Sequence, residues 1–302
     1  MSPPQLVSVS TSRESVGCVW STMKPVAHAI SENLRELALT AARSGAQAIA
    51  EVLRQGGLQT DAKQASHDLV TSADRASEQA VLLVLRSARP DDTVVGEETG
   101  EHPGTTGVRW FVDPLDGTAN FIYGRAGWSV SVGAELDGQP AVGAVVCPAD
   151  GRWAAADSSG VDAGGYDAVP GLVAVPRPPH RTGPPRTVPA SAALVSVGQP
   201  YSLQTRADVL RVAATLVSRL RAIRMTGAAA SELLGLAGGE CDAFLGFGLS
   251  PWDTTAGAAI VRACGGTTHS VPSLIGIDVL VAAMSHQLAE DLAGWIAEIG
   301  AS

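Results

Sequence analysis

Apolar residues recur at helical spacing through the first third of the chain. Leu34, Leu37, Ala38, Ala41, Ala42, Ala48, Ile49, Val52 and Leu53 fall on one face, which predicts an amphipathic helix opened by Ser31 and closed at Gly56-Gly57. Leu69-Val-Thr71 reads as a short strand leading into a second helix, capped by Ser72, with Ala80, Leu83 and Val84 turned inward and Pro90 at its end. Further strands begin at Val94-Val95 and at Trp110-Phe-Val112. The period then changes to two: Val130, Val132 and Ala134 oppose Val142, Ala144 and Val146 across Asp137-Gly138, a hairpin signal that the Asp150-Gly151 turn extends into an antiparallel meander.

Residues 160–189 break this regularity with glycines and then prolines, the composition of an irregular surface segment. Beyond it the pattern alternates again. Ala193–Val197 reads as a strand and 205–220 as a helix; Gly227–Gly239 is a small-residue helix and Asp242–Leu245 a strand. A helix opened by Asp253 closes at Gly265-Gly266, followed by a strand at Val279–Ala283 and an amphipathic helix at His286–Ile299. Residues 1–24 lack periodicity and read as a flexible extension. Residues 25–302 then form one domain: helices and antiparallel sheet over 25–159, the irregular segment, and an α/β half over 190–302.

Composition narrows the class without deciding it. With 302 residues, 45% hydrophobic and 17% charged, the chain can bury a substantial core. A net charge of −9 argues against nucleic acid as the main partner. Cysteines at 18, 147, 241 and 264 show no CxxC spacing, which fits reduced thiols in a cytoplasmic protein. No apolar run is long enough to span a bilayer. The segment's Arg177, His180, Arg181 and Arg186 read either as solvated loop charges or as contacts to an anionic substrate.

Chemistry concentrates around Trp110–Gly124. Asp113-Pro-Leu-Asp116-Gly-Thr118 follows an apolar strand; the proline, lacking an N–H, is expected to stop the ladder, and Gly117-Thr118 to open a short helix whose free N–H groups suit an anion. Two carboxylates beside an anion site repel it unless divalent cations lie between. Gly96-Glu97-Glu98 also follows a strand, and Trp252-Asp253-Thr-Thr-Ala-Gly257 opens a helix. Each alone has an ordinary account: a turn for the Glu pair, an N-cap for Asp253, dipole complementation for Asp74.

In that order and spacing, GEE, DPLDGT and WDTTAG resemble the inositol monophosphatase-like family of Mg²⁺-dependent, lithium-sensitive phosphatases, with Lys63, Asp68 and Asp74 matching the spacing of its upstream segment. The resemblance runs from about Leu34 to the C-terminus. It implies a layered αβαβα sandwich of α+β or α/β class, binding of two to three Mg²⁺ ions, inhibition by Li⁺, and a homodimer with a small phosphorylated substrate; the charge and the lack of a long apolar run add the expectation of no nucleic acid and no membrane as partners. It implies Glu97, Asp113 and the Leu115 carbonyl around one ion, and Asp113, Asp116 and Asp253 around a second. Thr118, with Glu97 or Asp68 nearby and Lys63 in the catalytic set, would orient and deprotonate a metal-activated water. Asp116, Gly117, Thr118, Gly227, Ala228 and Gly246 would face the substrate.

One departure bears on specificity. Inositol-specific members carry a glutamate seven residues before the WD aspartate, where this chain has Gly246. A polyol, sugar or nucleoside monophosphate is therefore the expected substrate class, with a 3′-phosphatase on adenosine bisphosphate-type nucleotides as the alternative. A non-catalytic interaction protein of the same fold is a third reading. Haloacid dehalogenase-like chemistry is disfavoured, because Pro114 and Leu115 both separate Asp113 from Asp116 where that class has one intervening residue.

Overall fold

The computed structural model describes residues 24–56, 60–62, 69–165, 187–200, 202–272 and 276–299. The N-terminal extension, Lys63, Asp68 and the arginines and histidine at 177–186 lie outside the described residues. The first helix, α1, runs Lys24–Arg54, so Ser31 lies inside it and does not cap it. After a small hairpin of β1 (Thr60–Ala62) and β2 (Leu69–Thr71), α2 spans Ser72–Ala88. Its cap is Thr71 and not Ser72: the Thr71 side chain accepts from the backbone N–H of Asp74, and the Asp74 carboxylate accepts from Thr71 N, a closed capping box. This sets the helix phase, so Val81, Leu82 and Leu85 turn inward while Leu83 is 70% exposed.

The larger sheet has seven strands: β3 (Thr93–Gly96), β4 (Gly100–His102), β5 (Val108–Asp116), β6 (Ser129–Leu136), β7 (Gln139–Cys147), β8 (Arg152–Asp157) and β9 (Gly160–Gly165), in the order β4-β3-β5-β6-β7-β8-β9. It departs from the expected all-antiparallel arrangement at one pair: β3 and β5 are parallel, with Gly96 beside Val112. The β6–β7 hairpin turns on Asp137 (φ 53°) and Gly138 (φ 71°), as two positive-φ turn residues require. The opening of the Gly/Pro-rich segment, expected to be irregular, forms the edge strand β9 on β8.

Strand β5 also does not stop at Pro114. It continues to Asp116, with a register shift between Asp113, opposite Ser131, and Asp116, opposite Ser129. A proline fits a strand at such a bulge, where no ladder N–H is required of it. The helix that follows, α3 (Thr118–Ile122), is five residues long.

The second sheet is mixed: β10 (Leu194–Gly198), β11 (Ala222–Arg224), β12 (Ala243–Phe247), β13 (Thr267–Pro272) and β14 (Asp278–Ala283), in the order β11-β10-β12-β14-β13. The remaining helices are α4 (Leu203–Leu216), α5 (Ala229–Ala237), α6 (Pro251–Ala263) and α7 (His286–Ile299). Helices α1 and α2 cover the outer face of the first sheet, α5 and α6 fill the space between the sheets, and α4 and α7 cover the second. The result is the expected αβαβα sandwich. Among the described residues no helix is long and apolar enough to cross a membrane.

The seat of α6 depends on two glycines. A Cβ on Gly143 would lie 2.2 Å from the Ala256 carbonyl oxygen, and one on Gly133 2.6 Å from the Ala256 N. The helix backbone thus rests directly on β6 and β7. We expect Gly143→Ala to push α6 off the sheet, costing about 1–3 kcal/mol as an overpacked site does and lowering the melting temperature; an unchanged melting temperature would show that α6 is not held this way.

A polar clamp joins α2 to the first sheet. Buried Asp92 accepts from Arg89 through both carboxylate oxygens (2.8 and 2.9 Å), from Thr106 Oγ1 (2.6 Å) and from Trp110 Nε1 (2.9 Å). Burial pushes its pKa up, but those hydrogen bonds and the Arg89 charge outweigh it and hold the group below the ordinary carboxylate range. A depressed folded-state pKa contributes stability that is present above the unfolded value, near 4, and is lost as pH falls through the folded one. Asp92→Asn should therefore cost about 1–3 kcal/mol at neutral pH, and in denaturation series its deficit should shrink below pH 4; a deficit constant with pH would rule out the ionised clamp.

Candidate active site

Parallel pairing of β3 and β5 sends both strands out of the sheet at the same end. Glu97, just past Gly96, donates its backbone N–H to the Val112 carbonyl (3.1 Å), so it stands next to Asp113. Gly96 is required by close approach: a Cβ there would fall 1.8 Å from Glu78 Oε1. That buried glutamate accepts from the backbone N–H groups of Glu98 (3.2 Å) and Thr99 (3.3 Å), fixing the GEE loop from beneath. Burial, offset in part by these amides, raises its pKa.

Asp113 lies fully buried. Its Oδ1 accepts from Leu115 N (3.0 Å), and among the described residues its Oδ2 has no hydrogen-bond partner. Burial first, then the charges of Glu97, Asp116 and Asp253, drive its pKa well above the ordinary carboxylate range. An orphaned buried carboxylate oxygen among three further acids is a costly arrangement for the protein alone. Hard cations would supply what it lacks.

The bulge in β5 carries Asp116 toward α5. That helix has no side-chain cap of its own; instead Asp116 accepts from the N–H groups of Ala229 (3.0 Å), Ala230 (2.8 Å) and Ser231 (3.3 Å), and from Ser129 Oγ (3.2 Å). Burial raises its pKa to about 7 against the pull of those donors. Asp253 sits at the third position of α6 and not at its cap; Ser250 is the cap, and its N–H donates to Asp253 Oδ2 (2.7 Å). Among the described residues no three His, Cys, Asp or Glu side chains close into ready metal-holding geometry. The acids converge within electrostatic reach, but Asp116 and Asp253 are turned onto backbone amides. Asp116 Oδ2 takes three of its four donors, whereas Oδ1 takes only Ala229 N and keeps a lone pair for another partner.

Thr118 supplies the hydroxyl. Its Oγ1 lies 3.2 Å from Asp74 Oδ1 and 3.0 Å from the Leu115 carbonyl oxygen. The carboxylate beside Thr118 is thus Asp74, whose role the sequence left at dipole complementation; Asp68 and Lys63 lie outside the described residues. Asp74 is buried, and burial followed by the negative charge of Glu97 raises its pKa against the hydrogen bonds from Thr71 and Thr118. The signal was present in the sequence as Thr71-x-x-Asp74, a capping box that fixes where the second carboxylate oxygen points.

These groups border a cavity of about 340 Å³ lined by Glu97, Asp116, Gly117, Thr118, Gly227, Ala228 and Asp253 among others. Gly117 has φ 86°, and a Cβ there would lie 2.9 Å from Ala228 Cβ, so the DGT turn and the 226–229 turn form adjoining walls. The latter is held by Glu232, which accepts from Thr226 N (2.8 Å), Gly227 N (3.1 Å) and Ser196 Oγ (2.7 Å). Gly246 does not line this cavity. It lies inside β12, where a Cβ would meet Leu249 Cδ1 at 2.8 Å and Phe244 Cε1 at 2.9 Å, and it borders a separate recess of about 600 Å³. Leu249 takes its place on the wall, joined by Val197, Met225 and Arg206.

Comparisons with known proteins place this geometry. The inositol monophosphatase family model matches residues 31–293. Nus factor SuhB of Salmonella typhimurium is 30% identical over 233 residues, covering 76% of this chain and 82% of that relative. The fructose-1,6-bisphosphatase/inositol-1-monophosphatase of Aquifex aeolicus is 31% identical over 259 residues, covering 83% and 92%. Among solved structures, the extragenic suppressor protein suhB of Bartonella henselae superposes with a TM-score of 0.67 at 26% identity, over 89% of this chain and 98% of that one. The matched span contains both sheets and every acid gathered at the cavity, and the chain belongs to the inositol monophosphatase family.

Proposed function

We propose that this protein is a Mg²⁺-dependent phosphatase of small phosphate monoesters, such as polyol, sugar or nucleoside monophosphates. The observation that carries the reading is Asp113: fully buried, with Oδ2 unpartnered, beside three acids that line an open cavity. Carboxylate and carbonyl oxygens are the donors Mg²⁺ takes. Glu97, Asp113 and the Leu115 carbonyl would hold one ion, and Asp113, Asp116 and Asp253 another. When bound, the ions supply neutralisation of phosphate charge and a more acidic water.

The chain's own groups do the rest. A water hydrogen-bonded to Thr118 Oγ1 can pass its proton through that hydroxyl to Asp74 Oδ1. The single hydroxyl proton serves either Asp74 or the Leu115 carbonyl, and a cation held by that carbonyl would leave the proton to Asp74. Burial makes Asp74 a stronger proton acceptor than an exposed carboxylate. The backbone at Gly117 and Thr118 faces the cavity where phosphate oxygens would rest.

No carboxylate stands at Gly246 to accept hydroxyl hydrogen bonds, and Val197, Met225 and Leu249 make part of the wall apolar. These features also support the second substrate reading, a 3′-phosphatase on adenosine bisphosphate-type nucleotides. A different class of role, interaction without catalysis, is favoured by the Nus factor name of several relatives. Phosphate release from a broad monoester panel separates the classes. We expect turnover of at least one member, abolished by chelation and restored by Mg²⁺; no release from any member would favour the interaction role.

Thr118→Ala and Asp74→Asn should each lower kcat by about 10²–10⁴-fold with little change in KM; unchanged kcat in both would place the proton route elsewhere. The acid cluster makes a separate prediction for stability. Without divalent ions, Asp113→Asn should be more stable than the parent by about 1 kcal/mol, because one repelling charge is gone. On Mg²⁺ titration the parent's melting temperature should rise and the variant's should rise less; equal responses would mean Asp113 does not bind the ion.

A further inference from the structure

The cavity's charged groups are unevenly distributed. Glu97, Asp116 and Asp253 come from the ends of β3 and β5 and the start of α6, whereas α4, on the second sheet, contributes Arg206, the one cationic side chain among the described lining residues. Arg206 is half-buried, and its Nε donates to the Pro200 carbonyl (2.9 Å), which fixes the plane of the guanidinium. No carboxylate among the described residues forms an ion pair with it, in contrast to Arg35, Arg89, Arg109, Arg152 and Arg211, each of which has an acid partner. Among the described residues both terminal nitrogens are therefore uncommitted, on a wall that also carries Val197, Met225 and Leu249.

We infer that Arg206 is a specificity-determining subsite for a second anionic group, so that the substrate is a phosphate monoester that also carries another phosphate or a carboxylate. This rests on the phosphatase reading above and narrows it. A guanidinium with a free pair of N–H donors matches the two oxygens of either group. An uncharged polyol would leave that fork unpaired and would find Leu249 where hydroxyls need an acceptor. The acids at the other elements repel a second anion unless it is held apart from them, and Arg206 sits on a different helix from any of them. Specificity thus comes from α4 and the turn before it, while phosphate chemistry comes from β3, β5 and α6.

The test uses the full-length protein with Mg²⁺ and a homologous series of α,ω-alkanediol bisphosphates, the matching monophosphates, and ω-phosphonooxy carboxylates. In the parent, kcat/KM should favour a doubly anionic member of suitable length over its monophosphate by about 10- to 100-fold, mostly through KM. Which anionic end group gives the larger preference distinguishes phosphate from carboxylate. Arg206→Gln should reduce that ratio to near one, and Arg206→Lys should keep part of it, with melting curves checking that both variants fold. Calorimetric binding of alkane bisphosphonates against monophosphonates reads the same preference without turnover. Turnover of monophosphates and doubly anionic esters with equal kcat/KM, or a preference that survives Arg206→Gln, overturns the Arg206 subsite and leaves the phosphatase reading intact. No turnover of any ester, with an Arg206-dependent binding preference for bisphosphonates, does the reverse. Loss of both overturns both.

Discussion

Mutual repulsion among buried carboxylates is the constraint around which this molecule is arranged. Asp113 has no solvent around it, one oxygen without a donor, and the charges of Glu97, Asp116 and Asp253 within reach. A core formed for stability alone would place apolar side chains there. The protein instead offsets part of the cost with backbone amides. Three N–H groups of α5 hold Asp116, Ser250 N holds Asp253, and Glu78 fixes the loop that bears Glu97. What remains uncompensated is concentrated on Asp113, the acid that touches all the others electrostatically.

The fold enforces this crowding through features that each look like an exception. One parallel strand pair in an otherwise antiparallel sheet brings Glu97 and Asp113 out at the same edge. The bulge at Pro114 turns Asp116 away from the sheet toward α5. Bare glycine surface on β6 and β7 lets the backbone of α6 come close enough to deliver Asp253. A regular sheet, a regular strand end or an alanine in place of glycine would each separate the acids. Local irregularity and site geometry are therefore the same property seen at two scales.

How much of this could be read from the sequence follows the range of the interactions involved. The Asp137-Gly138 hairpin, the C-terminal helix and the strand at 279–283 are set by neighbours a few residues away, and their spacing was legible. Glu97 and Asp253 each read alone as a turn and a cap; with Asp113 and Asp116 they stood out only through the order and spacing of GEE, DPLDGT and WDTTAG. The inward face of α2 was not: Leu83 matched the helical period, but the Thr71–Asp74 capping box set a phase that leaves it exposed. Pro114 read as a stop because nothing in the chain announces that β6 opposes it with a shifted register. Asp74 looked like a dipole partner until Thr118, which lies 44 positions further on, met its second oxygen. Gly246 counted correctly along the chain, yet Phe244 and Leu249 close over it in space.

Two kinds of positional requirement explain why the acids stand out in the sequence and the facing wall of the cavity does not. Acids must sit on rigid backbone, because Asp113 and its neighbours tolerate their repulsion only when strand ends fix them. Their positions therefore leave a strong mark in residue spacing. The opposite wall has a looser requirement: Val197, Met225, Leu249 and Arg206 need only present the right surface. They come from a strand end, a turn, a loop and a helix that share no motif. Glu232 shows the boundary between the two regimes. It is a buried acid that fixes the Thr226-Gly227 turn through backbone N–H groups, directly before the α5 N-terminus that holds Asp116.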